Sequence, residues 1–357
     1  MPPTSPHGPT RDVVLVGASA GGVEALRTLV AGLPVDLPAT VLVVLHVPPT
    51  GANALAAILD RSGPLPARPA RDGEPLRHGE VLVAVPDHHL LLRDGHVVLG
   101  AGPRENGHRP AVDAMFRSAA RAVGPRAIGV VLSGTLDDGA AGLVALRAQG
   151  GLGVVQDPAD ALYDGMPRAA LETAAPEHVV PLAGLAGLLV RLVGQPAPQQ
   201  PEVPEPLEEE VAVAEFDLTP LESDDHPGTP SGYSCPDCSG VLWRIEDHGA
   251  LRFRCRVGHA WSPESLHEQQ TSELDSALWI ALRSLEERAA LSREMGQRAA
   301  EHGHRLTASR FLERATETSE AARAIRGLLT SRAVRTAVGT DERTGERTEE
   351  RTDEKDG

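Results

Sequence analysis

The sequence predicts an α/β fold, a doubly wound and mostly parallel sheet with helices on both faces, followed by a small Cys-rich module and a C-terminal helical pair. Three observations carry that prediction. Continuous β-branched runs alternate with stretches of helical spacing as far as residue 195. All three cysteines, Cys235, Cys238 and Cys255, crowd into one short region. Beyond them, apolar residues recur near heptad spacing at Leu274, Leu278, Ala281, Leu285 and Ala289.

Taken in order, residues 1–10 are rich in Pro, Thr and Gly and read as a disordered N-terminus. An α/β domain is expected over 11–195. Val13-Val14-Leu15-Val16 is a buried strand that runs into a turn of small residues, Gly17 to Gly22, and then a helix with Leu26, Leu29 and Val30 on one face. Residues 40–45 form a second run bounded by Pro38 and Pro48, with His46 at its carboxyl end. Residues 81–85 and 96–99 read as shorter strands around the Asp87-His88 and Asp94-Gly95 turns. A helix over 111–122 starts behind Pro110, where the missing N–H costs nothing. Residues 127–132 form another buried strand and end in Ser133-Gly134-Thr135-Leu136-Asp137-Asp138-Gly139 before the next helix. Short strands at 153–155 and 178–180 and a helix over 182–192 close the domain.

Residues 196–230 change texture to Pro, Gln and Glu and read as an acidic linker. The Cys-rich module is expected over 231–266 and a helical hairpin over 267–332, turning at His302-Gly303-His304. Residues 333–357, with Glu-Arg-Thr repeated three times, read as a disordered tail.

Net charge is −16, and ten acidic residues of the linker supply much of it. Nucleic-acid binding needs clustered Lys and Arg, and none falls between residues 201 and 230. Basic character rests on Arg, since Lys355 is the sole Lys. With no signal-peptide pattern and no run of about 18 apolar residues, the expectation is a cytoplasmic protein without membrane insertion.

The cysteines follow Cys235-x2-Cys238, sixteen residues, then Cys255-x3-His259. Thiolates two residues apart hold one side of a tetrahedral ion, and a hairpin returns the other side, so the module reads as zinc-ribbon-like with a structural Zn on Cys235, Cys238, Cys255 and His259. His248 and His267 compete for the fourth place, and free buried thiols are the alternative. No cofactor is expected to serve catalysis.

The Ser19 turn admits a dinucleotide-binding turn, a nucleophile turn or a plain strand-to-helix connection. A dinucleotide site wants Gly in place of Ser19 and an acidic residue where His46 stands. Carboxyl ends of parallel strands share one edge, so Ser19, His46 and the Asp137-Asp138 pair meet if their strands are neighbours. A Ser hydroxyl needs a base, and an imidazole needs a carboxylate to fix its tautomer. Either Asp137 or Asp138 can cap the next helix while the other does this work. Arg109 and Arg168 read as loop anchors, or as contacts to an acidic partner, and Asp87, His88 and His89 as structural.

Six ordered blocks then extend the pattern: residues 17–25, 46–49, 86–89, 108–113, 138–142 and 165–168. Together they resemble the catalytic domain of the CheB-type protein-glutamate methylesterases of bacterial chemotaxis. The resemblance implies a doubly wound α/β methylesterase domain with Ser19 as nucleophile, His46 as general base and Asp138 as orienting acid. It implies hydrolysis of glutamyl methyl esters on the cytoplasmic helices of methylated chemoreceptors, with glutamine deamidation as a second activity. The family's loop commonly reads Gly-Met-Gly-Asn-Asp-Gly where this chain has Gly134 to Gly139. Only about ten residues precede the first strand, so a stand-alone domain without the family's receiver is expected. The C-terminal module is expected to meet signalling proteins, and a catalytically degenerate scaffold is the alternative reading of the chain.

Overall fold

The longest apolar runs, Val13–Ala18, Thr40–Leu45 and Ala127–Val131, become strands covered on both faces, and shorter, partly exposed strands complete the set. In the computed structural model, which describes residues 8–48, 54–217, 219, 228–247 and 250–349, they are β1 (Val13–Ala18), β2 (Thr40–Leu45), β3 (Ala67–Pro69), β4 (Glu80–Val83), β5 (His89–Arg93), β6 (His96–Gly100), β7 (Ala127–Val131), β8 (Leu152–Gln156) and β9 (His178–Val180). All but β5 and β6 join one parallel sheet in the order β3-β4-β2-β1-β7-β8-β9. The winding reverses at β1, which puts the topological switch point, where α/β sheets hold their ligands, beside its carboxyl end. β5 and β6 form a separate antiparallel hairpin whose Asp94-Gly95 turn has both residues at positive φ (50° and 74°).

Alternate strand residues face opposite layers. One side packs Val14, Val16, Val41 and Val43 against α1 (Gly22–Ala31), α2 (Ala54–Asp60) and a later helix spanning Leu182–Leu192. The other packs Leu15, Leu42, Val44 and Val131 against α3 (Val112–Ala122), α4 (Ala140–Ala148) and α5 (Gly165–Ala174), the Leu182–Leu192 helix being α6. Each fully buried Leu or Phe here, such as Leu26 or Phe116, contributes about 1.5–3 kcal/mol.

The chain enters and leaves this α/β domain side by side. Arg11 N–H donates to Gln195 O (2.9 Å), Gly194 N–H to Arg11 O (2.8 Å) and Ala197 N–H to Pro9 O (2.8 Å).

The expected linker 196–230 needs correction. It carries α7 (Glu205–Ala214), which packs on α3 with Leu207, Val211, Val213 and Ala214 buried. Leu207, Val211 and Ala214 make one helical face, and Glu210 is held by Arg117, Arg252 and Arg254. Residues 218 and 220–227 of that segment lie outside the described residues.

Four antiparallel strands follow, β10 (Thr229–Ser234), β11 (Val241–Asp247), β12 (Ala250–Cys255) and β13 (Ala260–Trp261), around a small core of Cys235, Leu242, Phe253, Cys255, Trp261 and Leu266. α8 (Pro263–Glu301) starts here, capped by Ser262, whose Oγ accepts Ser265 N–H at 3.1 Å.

A second compact unit begins at Glu268. Within it α8 turns at Gly303 (φ 76°) into α9 (Arg305–Glu349), and the two helices share a core of Leu282, Ala322 and Leu329 with Leu278, Leu285 and Ile325. The α9 backbone stays helical into the segment read as a disordered tail, consistent with its Glu and Arg content. Residues 350–357, like residues 1–7 of the expected disordered N-terminus, fall outside the described residues. No helix among the described residues is long and apolar enough to cross a membrane.

Candidate active site

Ser19, His46 and Asp138 follow β1, β2 and β7, and these three strands are adjacent. Sheet spacing alone therefore gathers them on one rim. Ser19 sits in the turn between β1 and α1, closed by Gly21 at φ 72°. A side chain on Gly21 would be strained by that φ and would meet Ser133 Oγ at 2.8 Å. A Cβ on Gly134 would lie 2.9 Å from Ser19 Cβ, so Gly134 lets the acid-bearing loop close against the serine. Ser133 clasps the same turn: its carbonyl accepts Ser19 N–H (3.0 Å), and its Oγ donates to Ala20 O (2.9 Å) and accepts Tyr163 N–H (3.0 Å).

His46 Nδ1 lies 3.1 Å from Ser19 Oγ, and His46 Nε2 lies 2.7 Å from Asp138 Oδ2. Asp138 accepts the proton on Nε2, which leaves the Nδ1 lone pair for the serine. The ring thus uses its nitrogens in the opposite order to the trypsin arrangement, with the same chemical outcome. His108 stacks on His46 at 3.7 Å between centroids. Burial and the neighbouring His46 push His108 down to about 4, so it stays neutral near pH 7.

Asp138 is 2% exposed. Besides His46 it accepts Val112 N–H (2.7 Å), Asp113 N–H (3.1 Å) and Asn106 Nδ2 (3.2 Å). Burial would raise its pKa, but the bond and charge of His46 and the Val112 amide outweigh it and hold the carboxyl below the usual range. The amino end of α3, with its partial positive charge, points at this carboxylate. Asp137 turns away instead: Ser262 Oγ (2.7 Å) and Ser265 Oγ (3.0 Å) donate to it. Burial and Glu264 push Asp137 up to about 8 despite the Ser262 bond. The capping of α4 falls to Asp113, whose Oδ1 accepts Gly139 N–H (3.0 Å) and Gly142 N–H (2.6 Å).

Asn106, Asp113, Ser133 and Ser262 were not singled out in the sequence. Asp113 lies inside the 108–113 block, the one available signal, whereas Asn106 meets Ser262 across 156 residues. Arg109 anchors loops, donating to Asp87 and to the carbonyls of Ala101 and Gly102. Arg168 pairs with Asp164 on the surface. His89 is buried between Pro103 O and Ala111 N–H while His88 is exposed, so the 87–89 cluster does not converge. A pocket lined by His46, Val47, Pro48, Arg104, Gly107, His108 and Arg109 opens beside the imidazole.

In the module, donor atoms of Cys235, Cys238, Cys255 and His259 lie within 4.8 Å of one another. Cys238 Sγ and Cys255 Sγ are 3.6 Å apart, as are Cys255 Sγ and His259 Nδ1. Two sulfurs about 2.3 Å from one tetrahedral ion would lie about 3.8 Å apart, so the cluster fits a four-coordinate metal. His267 is outside this cluster, and His248 lies outside the described residues.

The CheB methylesterase family model matches residues 14–189. The protein-glutamate methylesterase/protein-glutamine glutaminase of Symbiobacterium thermophilum is 41% identical over 186 residues, 52% of this chain and 51% of that protein. Protein-glutamate methylesterase/protein-glutamine glutaminase 4 of Anaeromyxobacter dehalogenans is 46% identical over 191 residues, 52% and 53% of the two chains. The chain spans about half the length of these curated relatives. The crystal structure of the Thermotoga maritima CheB methylesterase catalytic domain is 32% identical with a TM-score of 0.50, covering 52% of this chain and all of that one. Fold, strand-end geometry and sequence agree, and through its α/β domain the chain belongs to the CheB methylesterase family.

Proposed function

We propose that the protein is a protein-glutamate methylesterase that hydrolyses glutamyl methyl esters on chemoreceptor helices, with glutamine deamidation as a second activity. The observation that carries this reading is the hydrogen-bonded chain from Ser19 through His46 to Asp138, at 3.1 and 2.7 Å. Ser19 Oγ attacks the ester carbonyl carbon while His46 Nδ1 takes the hydroxyl proton, and Asp138 holds the resulting imidazolium at Nε2. The tetrahedral oxyanion is placed against backbone N–H groups near Ala20, at the amino end of α1. Each such donor is worth about 3–4 kcal/mol. His46 then passes its proton to the departing methoxide, methanol leaves, and a glutamyl ester on Ser19 remains. Water attacks that ester with His46 again as base, restoring the serine and releasing the glutamate side chain. With glutamine the leaving group is ammonia and the remaining steps are unchanged.

Cys235, Cys238, Cys255 and His259 hold a structural zinc ion in this reading. Four protein ligands leave no open position, so the metal supplies folding energy and no chemistry. The protein works in the cytoplasm, where receptor helices and reduced thiols are both found.

The test is methanol release from a methylated receptor. Ser19→Ala should abolish release with circular dichroism unchanged, and undiminished release would sink the assignment.

A further inference from the structure

Between the Cys-rich module and Asp138 stands one side chain, Asn106. Asn106 is 7% exposed and has a left-handed backbone, φ 52°. Its amide nitrogen donates to Asp138 Oδ1 and to Asp113 Oδ2, both at 3.2 Å. Its amide oxygen accepts Ser262 N–H at 2.8 Å, and its backbone N–H donates to Ala260 O at 2.8 Å. Ala260 N–H in turn donates to Arg104 O at 3.2 Å, so the loop that carries Asn106 and His108 meets β13 through one parallel bridge, Glu105 opposite Ala260. On the other flank of Asp138, Asp137 is held by the hydroxyls of Ser262 and Ser265. A carboxamide suits the central position because it donates to two carboxylates and accepts from an amide at once.

Residues 260–262 follow directly on His259. The preceding turn is closed by Gly258 N–H to Cys255 O (2.9 Å) and Cys255 N–H to His259 O (3.0 Å), between two members of the metal cluster. The described core of the module is only six side chains, so an ion held by four of its residues would add folding energy that so small a core does not supply by itself.

We propose that the Cys-rich module is a working part of the esterase site: metal on Cys235, Cys238, Cys255 and His259 fixes residues 260–262, and Asn106, a positioning residue, passes that order to Asp138. The proposal rests on the Ser19 esterase reading. Without the metal, Asn106 loses both partners in the module, and Asp138 loses a fixed donor. A displacement of about 1 Å at such a site costs about 100-fold in rate.

The experiment uses the full chain, with zinc removed by chelation and then restored. Removal should lower kcat for methanol release about 100-fold and restoration should recover it. Asn106→Gly keeps the left-handed backbone without the amide. With zinc bound it should lose a similar factor and no longer respond to metal. Asn106→Asp should be worse than Asn106→Gly, because it turns a carboxylate toward Asp138 and Asp113, whereas a purely structural role for the loop ranks them the other way. Hydrogen exchange at the Val112 and Asp113 amides, which donate to Asp138, should quicken when zinc is removed. A chain that binds no zinc, Ser19-dependent activity that ignores metal, or metal loss that costs Asn106→Gly as much as wild type would overturn the coupling alone. Activity that survives Ser19→Ala overturns the esterase reading beneath it.

Discussion

Asp138 and Asp137 are neighbours in sequence with opposite electrostatics. Asp138 gathers four donors and stays ionised, so its contribution to stability is present above about pH 3.9 and is lost only as pH falls through its depressed folded value. Asp138→Asn keeps the shape but offers His46 a donor in place of an acceptor. The matching change in serine hydrolases costs about 10,000-fold in kcat, and methanol release should fall on that order. Asp137 has its folded pKa pushed up to about 8, against about 3.9 for the unfolded chain. Between those values the folded form binds the extra proton, so stability drains as pH rises from about 4 to about 8. Asp137→Asn keeps an oxygen for Ser262 and Ser265 without the charge. It should melt a few degrees above wild type at pH 8 and no higher at pH 4, as scanning calorimetry at the two pH values would show.

At the scale of elements, α3 and α7 do what no isolated residue can. The amino end of α3 presents two amides to Asp138, while its Arg117 meets Glu105 and Glu210 in a buried charge cluster with Arg252 and Arg254. Burial alone would raise Glu210, but Arg252, Arg254 and Arg117 keep it ionised. Glu210→Ala leaves three guanidinium groups short of a carboxylate and should destabilise the protein by about 3 kcal/mol in urea unfolding. α7 shows where sequence reading stops. Its Glu-rich composition masks a narrow apolar face, and what makes Glu210 tolerable inside is a set of arginines from 42 to 93 positions away. β1, β2 and β7 were legible because their runs carry no charged residue and are rich in Val, Leu and Ile. Ser19 and His46 drew notice because each directly follows such a run, whereas the choice of Asp138 over Asp137 came from the family resemblance. Asn106 and Ser262 were not legible, since their roles exist only once strands far apart in the chain have paired.

Over the whole molecule, the metal cluster and the α/β domain belong to one compact unit. A structural zinc ion should appear at one equivalent per chain by elemental analysis. Chelation should lower the melting temperature of that unit, and full thermal stability without metal would count against the ion. The paired passages of chain at residues 9–11 and 194–197 have a further consequence. They meet near the amino end of β1, at the end of that strand away from Ser19. Cargo attached at the amino end therefore starts a strand's length from the chemistry: a bulky fluorescent protein joined ahead of Pro9 should leave the rate of methanol release unaltered.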